Sequence, residues 1–481
     1  MIACRNWTFR YAGGGSDADG LREVTITVTR GQCVLLTGVS GGGKTTLTRC
    51  MNGVIPHMIE GAYTGEVMLG DQYVAATPLH RIGRIVGSVF QDPRSQFFAT
   101  TVMDELAFGC ENYGVPRAEI AARLERTVER FQLAGLVHRS VFELSSGERQ
   151  RLALAAATML DPDIYVLDEP SANLDAVSAS QLAHMLRLLK REGKTVVIAE
   201  HRFEYLGDLV DRALYINRGQ VAAEFDRAAW SKLTTRERIA CGLRLTRAAA
   251  SPDRLPCEQP AASMSGNAER HADLYVERLA FQRKGKDVVR ATTFAAKRGD
   301  IIGITGDNGA GKTTLCTLLC GLEKETAGAM MWEGRRIIAR RRRELAYLVM
   351  QDCDFQLFAA SVEQEMRLGM KPSAELERRI ERAFRLLRLG ELRERHPASL
   401  SGGQKQRVSI AVALARDTPI ILLDEPTSGM DGRHMRAFAA LLHELAAAGK
   451  LIIVVSHDRE FIDVACSRVW RMDNGVLTEQ A

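Results

Sequence analysis

The sequence predicts an α/β protein of two similar domains, each with a mainly parallel core sheet and a helical subdomain. Three observations carry this. A glycine-rich phosphate loop occurs twice, as G-V-S-G-G-G-K-T-T at Gly38 to Thr46 and as G-D-N-G-A-G-K-T-T at Gly306 to Thr314. Each is followed, in one order, by an isolated Gln, an L-S-x-G stretch, an apolar run ending in Asp-Glu-Pro, and a late His. Short apolar runs bounded by Pro or Asp alternate with helical stretches, the mark of parallel strands and crossover helices.

The repeat keeps register. Counterparts lie 268 residues apart at Lys44 and Lys312, 260 at Gln91 and Gln351, and 256 at Ser145/Ser401, Asp168/Asp424 and His201/His457. A constant separation over the later motifs means duplication of a whole domain. The domains are expected at residues 1–225 and 272–481, joined by a linker at 226–271 whose Ala248 to His271 portion is rich in Ala, Ser and Pro.

In chain order, Val24 to Thr29 and Cys33 to Thr37 read as strands leading into the first loop, and Ile301 to Thr305 leads into the second. Helices are expected at Thr45 to Asn52 and Thr313 to Cys320, because a phosphate loop needs strand, loop and helix in that order. Arg117 to Phe131 and Ala374 to Leu389 are helical and precede the L-S-x-G stretches, so they form the helical subdomain. Ile164 to Leu167, Ile420 to Leu423, Thr195 to Ala199 and Leu451 to Val455 are continuous apolar runs, as buried parallel strands are.

Composition narrows the class. Across 481 residues, 64 basic and 59 acidic residues leave a net charge of +5, too small an excess to point to nucleic acid. Cys316 and Cys320 are four apart with no His or third Cys nearby, so they read as packing residues, and a reducing cytoplasm fits the scattered cysteines. The opening stretch, M-I-A-C-R-N-W, does not show the basic-then-apolar pattern expected of a secretion signal. No apolar run approaches the roughly 20 residues that cross a bilayer, so any work at a membrane needs other chains to span it.

The chemistry is concentrated in the repeated motifs. In the loops, Gly38, Ser40, Gly41 and Gly43, and Gly306, Asn308, Gly309 and Gly311, let backbone N–H groups converge on β- and γ-phosphates at a helix N-terminus. Lys44 and Lys312 add a positive charge there. Thr45 and Thr313, each followed by a second threonine (Thr46, Thr314), offer a hydroxyl to Mg²⁺. Asp168 and Asp424 end buried strands and can reach that metal, while Glu169 and Glu425 can polarise an attacking water as general base. Ser145 with Gly147, and Ser401 with Gly403, open helices and suit a second anion contact. Standing alone, such a serine would be an ordinary helix cap. The two copies, each 23 residues before its Asp-Glu-Pro run, favour the anion reading.

With these motifs in place, the chain resembles a tandem ATP-binding subunit of an ABC transporter, over nearly all of its length outside the linker. The resemblance implies two ABC-type ATPase domains and two head-to-tail sites for ATP and Mg²⁺. Ser401 and Gly403 would close the first loop's nucleotide, and Ser145 and Gly147 the second's. It further implies that Gln91 and Gln351 sense the metal and the attacking water, that His201 and His457 contact the γ-phosphate, and that the loops ending at Asp175 and Asp431 cross between sites. Tyr11 matches the aromatic that stacks on adenine, whereas the second half has Arg283 there, so two hydrolysing sites of unequal affinity are expected.

V-F-Q-D-P-R-S-Q-F-F at Val89 to Phe98, N-G-V-I-P-H at Asn52 to His57, and L-S-S-G-E-R-Q-R with S-A-N-L-D are similar to tandem energy-coupling-factor ATPases. That branch drives importers of vitamins or transition-metal ions. It implies a transmembrane coupling subunit docked near the Gln segment, a small substrate-binding membrane subunit, and a peripheral place on the cytoplasmic face of the membrane. Arg94 and its counterpart Asp354 differ in charge and suggest that the halves grip different partner segments. A soluble tandem ATPase acting on the ribosome and the ATPase of a sugar importer are the alternatives. The former carries a long charged helical linker that this chain lacks, and the latter departs from L-S-G-G-Q.

Overall fold

A computed structural model describes residues 1–12, 20–172, 174–245, 272–400 and 402–480. The chain divides into two compact units, Met1–Ser251 with Asp431–His434, and Pro252–Met430 with Met435–Ala481. The Ala248 to His271 tether and Ser401 lie outside the described residues.

In the first unit the strands are β1 (Ile2–Tyr11), β2 (Gly20–Val28), β3 (Cys33–Gly38), β4 (Gly61–Leu69), β5 (Gln72–Tyr73), β6 (Val86–Val89), β7 (Ile164–Asp168), β8 (Thr195–Ala199), β9 (Arg212–Asn217) and β10 (Gln220–Asp226). The core sheet runs β10-β9-β3-β8-β7-β6. All its pairings are parallel except β9 with β10. Every residue of β3, β7 and β8 is buried, which is why they read as unbroken apolar runs. A second, antiparallel sheet, β2-β1-β4-β5, packs Trp7, Phe9 and Leu21 against Leu36, Leu47 and Val197.

The helices that position the chemistry are α1 (Lys44–Met51), α2 (Val102–Asn112), α3 (Arg117–Arg130) and α4 (Ser146–Thr158). Helix α4 starts at Ser146, directly after Ser145, because Ser145 and Glu148 form a reciprocal capping box.

One segment departs from expectation. Residues 226–240, expected to open the linker, fold into α5 (Arg227–Lys232) and α6 (Thr235–Ala240). Trp230 is buried there, its ring against Phe203 and Phe225 at centroid distances of 4.9 and 5.9 Å. The Arg238 guanidinium lies over Phe203 and Trp230 and donates to the Trp230 carbonyl. Six-residue helices are too short to show a periodic stripe, so the burial of one tryptophan was not legible as pattern.

The second unit repeats the plan. Its strands are β11 (Leu274–Arg283), β12 (Lys286–Ala296), β13 (Ile301–Thr305), β14 (Ala327–Trp332), β15 (Arg335–Arg336), β16 (Ala346–Val349), β17 (Ile420–Asp424), β18 (Leu451–Val455), β19 (Arg468–Asp473) and β20 (Val476–Gln480). The core sheet runs β16-β17-β18-β13-β19-β20 and the antiparallel sheet β12-β11-β14-β15. Helices α7 (Lys312–Leu319), α8 (Ala339–Leu345), α9 (Val362–Arg367), α10 (Ala374–Leu387) and α11 (Gly402–Ala415) fill the roles expected from the first half. Cys316 and Cys320 are buried in this core among Leu315, Leu318 and Leu319, as packing residues. Among the described residues, no helix is long and apolar enough to cross a membrane.

Candidate active sites

Each phosphate loop links a buried central strand to a helix. Gly43 and Gly311 cap α1 and α7 at φ 107° and 103°, a left-handed conformation that a side chain would strain. Lys44 is buried, and its Nζ donates to the Gly38 and Val39 carbonyls at 3.3 and 2.9 Å. Lys312 donates to Gly306 and Asp307 at 2.8 Å each. Burial lowers the pKa of Lys44 and is opposed by the nearby Glu169, Asp431 and Asp168. Gly41 and Gly309 stand with open space around them, at φ 74° and 81°.

The metal-binding expectation fits the donor set. Thr45 Oγ1 donates to Asp168 Oδ1 at 3.1 Å, and Thr313 Oγ1 to Asp424 Oδ2 at 2.8 Å. A hydroxyl and a carboxylate from loop and strand end therefore meet in each half, both hard oxygen ligands of the kind Mg²⁺ takes. Burial raises both aspartates above the usual carboxylate range, and the threonine hydroxyls pull them back. A divalent cation would relieve that cost.

Next to them, Glu169 and Glu425 adopt φ 43° and 47°. A left-handed backbone at a non-glycine residue in both halves is strain of the kind that collects at functional positions. Gln91 Nε2 donates to Glu169 Oε2 at 3.0 Å. Gln351 occupies the matching place after β16, exposed. His201 Nε2 lies 3.5 Å from Glu169 Oε1 and 3.4 Å from Ser40 Oγ. His457 Nε2 lies 3.5 Å from Glu425 Oε1 and 2.8 Å from Asn308 Oδ1. Glutamate, histidine and phosphate-loop polar residue thus form one chain of contacts in each half. Burial, then the Lys44 charge, pushes His201 well below its ordinary pKa, so it stands neutral.

Asp431, within the first unit, accepts the Ser40 N–H at 2.6 Å, and the Asp431 N–H donates to Ser40 Oγ at 3.2 Å. Asp175 caps the helix that begins at Ala176 by accepting from Ser178 N at 2.8 Å.

The halves differ at the residue before the histidine. Glu200 is wholly buried, accepting N–H groups from Ser171, His201 and Arg202 and the Tyr205 hydroxyl. Its counterpart is Ser456, whose hydroxyl donates to Glu425 Oε2 at 3.1 Å. Burial and the adjacent Glu200 push Glu169 up to about 8. Glu200 was not singled out from sequence, although A-E-H-R at Ala199 to Arg202 against V-S-H-D at Val455 to Asp458 carried the signal. Arg244 is another such residue, buried and lowering the pKa of His201 by its charge. It follows α6 in the stretch expected to be linker.

The expected adenine contacts also differ. Tyr11 Oη is 2.9 Å from Thr46 Oγ1 and its ring meets Phe9 edge-on. Arg283 instead pairs with Glu323 at 3.0 Å. In the L-S-x-G stretches, Ser145 Oγ accepts from Glu148 N at 3.3 Å, so it serves as a helix cap in this structure. Gly147 is required by packing, since a Cβ there would sit 2.2 Å from Ser178 Oγ, whereas a Cβ on Gly403 would meet nothing. Arg94 and Asp354 each hold a charge partner, Asp92 at 3.1 Å and Lys405 at 2.6 Å.

A doubly represented phosphate loop, Thr–Asp pair and Glu–His pair on parallel sheets define a tandem P-loop ATPase. The family model described as "ABC transporter" matches residues 21–172 and 289–428. A Treponema denticola protein provisionally named an ABC transporter ATP-binding protein is 40% identical, covering 100% of this chain and 97% of its own. A Bacillus subtilis protein provisionally named HMP/thiamine import ATP-binding protein YkoD is 28% identical, over 92% of this chain and 84% of its own. Among solved structures, one titled RNase-L Inhibitor superposes with TM-score 0.62 at 22% identity, covering 99% of this chain and 90% of that one. That likeness speaks for the fold alone. The chain belongs to the ABC transporter ATP-binding family, with two ATPase domains in tandem, and the family binds and hydrolyses ATP.

Proposed function

We propose that this chain is the ATP-hydrolysing subunit of a membrane importer for vitamins or transition-metal ions, of the energy-coupling-factor type. The observation that carries the transport reading is the surface beside each Gln segment. Phe98 is 74% exposed in the first half, and Phe355 and Phe358 are 64% and 72% exposed in the second. The loops carrying Phe98 and Phe358 are pinned: buried Glu105 accepts the Phe98 and Ala99 N–H groups, and buried Glu365 those of Phe358 and Ala359. Exposed aromatics on a fixed loop in both halves suit docking of an apolar partner segment. The thiamine-import name of the Bacillus relative and the V-F-Q-D-P segment support the vitamin branch.

In this reading the phosphate loops and Lys44 or Lys312 hold the triphosphate, with Thr45 and Asp168, or Thr313 and Asp424, as ligands to Mg²⁺. When bound, the metal would supply charge neutralisation to the triphosphate. Glu169 or Glu425 takes a proton from water as its oxygen bonds to the γ-phosphorus and the bond to the β–γ bridging oxygen breaks, releasing ADP. Gln91 and Gln351 orient that water, and His201 and His457 contact the γ-phosphate. Ser145 with Gly147 and Ser401 with Gly403 complete the nucleotide contacts. Conformational change driven by this hydrolysis then passes through the Gln segments to a transmembrane coupling subunit, beside a small substrate-binding subunit, at the cytoplasmic face of the membrane.

The test is a mild-detergent pull-down of the tagged chain from its native cells with mass spectrometry. A multi-span coupling protein with small membrane proteins supports the importer. Ribosomal proteins without a membrane partner replace it with the ribosome-acting alternative, and a sugar permease replaces it with the sugar importer.

A further inference from the structure

We propose that the second half carries an anion site of its own, apart from its phosphate loop, for a small ligand bearing phosphate groups, free or as a headgroup. A cavity of about 310 Å³ is lined by Arg343 and Glu344 at the end of α8, Lys371 and Ser373 between α9 and α10, Arg379 on α10, and Arg416 after α11. Four cations thus face one carboxylate. That carboxylate, Glu344, pairs with Arg341 at 2.5 Å. Arg379 shares Glu375 at 3.4 Å. Among the described residues, no acidic side chain lies within ion-pair distance of Arg343, Lys371 or Arg416.

Gathering four like charges in one concavity costs electrostatic energy that an anion would return, and guanidinium forks match phosphate oxygens. The N-terminus of the 14-residue α10 opens beside Lys371, adding backbone N–H groups of the right polarity.

The cavity is separate from the nucleotide loop. Strands β16, β17, β18 and β13 run parallel. The loop follows the C-terminal end of β13 and Asp424 ends β17, whereas Arg343 and Arg416 precede β16 and β17 at the opposite edge of the sheet. Strands of four to five residues separate the edges by about 15 Å.

The first half has filled the same place. Gly83 and Leu160 stand where the second half has Arg343 and Arg416. A Cβ on Gly83 would sit 2.8 Å from the Tyr113 hydroxyl, and that hydroxyl donates to the His80 carbonyl at 2.5 Å. Tyrosine packing in one half and a cationic cavity in the other assign the site to the second half alone.

The test uses the full chain with both phosphate loops saturated with MgADP, and equilibrium dialysis against labelled inorganic pyrophosphate. The variants are Arg343→Gln/Arg416→Gln, with Arg343→Glu/Arg416→Glu as the stronger form. Arg378→Glu/Arg382→Glu, on the exposed face of α10, is the control for overall charge. In a second arm, flotation with 3:1 phosphatidylcholine:phosphatidylglycerol vesicles reads headgroup binding. One ADP-insensitive pyrophosphate site that weakens at least tenfold in the Gln pair and persists in the control supports a free phosphate ligand. Vesicle binding lost in the Gln pair and kept in the control supports a headgroup. If neither probe distinguishes the Gln pair from the natural chain, or the control loses binding equally, the site does not exist.

Discussion

Replacing Glu169 with Gln is expected to stabilise the nucleotide-free, metal-free chain while stopping hydrolysis at the first site. Glu169 is 9% exposed, and burial together with Glu200 pushes it up to about 8 from a usual 4.5. A carboxylic acid with a raised folded pKa favours the folded state fully below about pH 4.5 and loses that contribution as pH climbs towards 8. At pH 7 the ionised form in the unfolded chain is 2.5 units above its pKa, so folding gives up about 3 kcal/mol. Gln is neutral, keeps the size, and can still accept from Gln91 through its amide oxygen. It removes this cost, with about 3 kcal/mol as a ceiling and under roughly 1 kcal/mol at pH 5. For a domain of this size the ceiling corresponds to a rise in Tm of roughly 6–12 °C. Scanning calorimetry in EDTA at pH 5 and pH 7 reads the difference. Glu425→Gln, beside a Ser456 hydroxyl in place of a carboxylate, should shift Tm less. A Gln variant that melts lower than the natural chain, or by the same margin at both pH values, refutes the reasoning.

Three further outcomes follow from the same geometry. Glu200→Ser, the residue the second half has at Ser456, removes the like charge beside Glu169 and should raise first-site hydrolysis severalfold at pH 7, read in a Glu425→Gln background; unchanged turnover would show that Glu200 does not restrain the base. Arg283→Tyr loses an exposed ion pair to Glu323, a cost of under about 1 kcal/mol, and gains a ring for adenine, typically about 1–3 kcal/mol of stacking. With the first loop disabled by Lys44→Ala, ATP should bind roughly tenfold tighter, and weaker binding would remove Arg283 from the adenine site. Trp230→Ala empties a pocket between Phe203 and Phe225 and should cost about 3–5 kcal/mol, seen as a lower urea midpoint; a loss under about 1 kcal/mol would return residues 227–240 to a linker role.

What the sequence made legible is what repeats or has a period. The strands at Ile164–Asp168 and Ile420–Asp424 are buried on both faces, so composition alone exposes them. The Thr–Asp contacts follow from motif spacing because a strand, a tight loop and a helix leave the chain little choice about where Thr45 and Asp168 meet. The helices at 227–240 were hidden because each is under two turns, and their hold on the first unit comes from Trp230 and Arg238 meeting rings distant in sequence.

The asymmetry between the halves was legible only where a motif position itself changed. Arg283 replaces an expected aromatic and could be noticed. Glu200 stands one residue outside the late-His motif, and its importance arises from burial beside Glu169, a pairing 31 residues apart that only the parallel contact of β7 and β8 creates. That contact brings Asp168 opposite Ala199, so the residues following each strand end, Glu169 and Glu200, are forced into one buried space. In the second half the same register brings Asp424 opposite Val455, and Ser456 fills the place with a hydroxyl donor. Identical topology therefore sets one glutamate against a carboxylate and the other against a hydroxyl. Two complete motif sets do not imply two equal sites: Glu425 has a hydroxyl donor beside it, whereas Glu169 shares its buried space with the Glu200 carboxylate, which with burial pushes its pKa up to about 8.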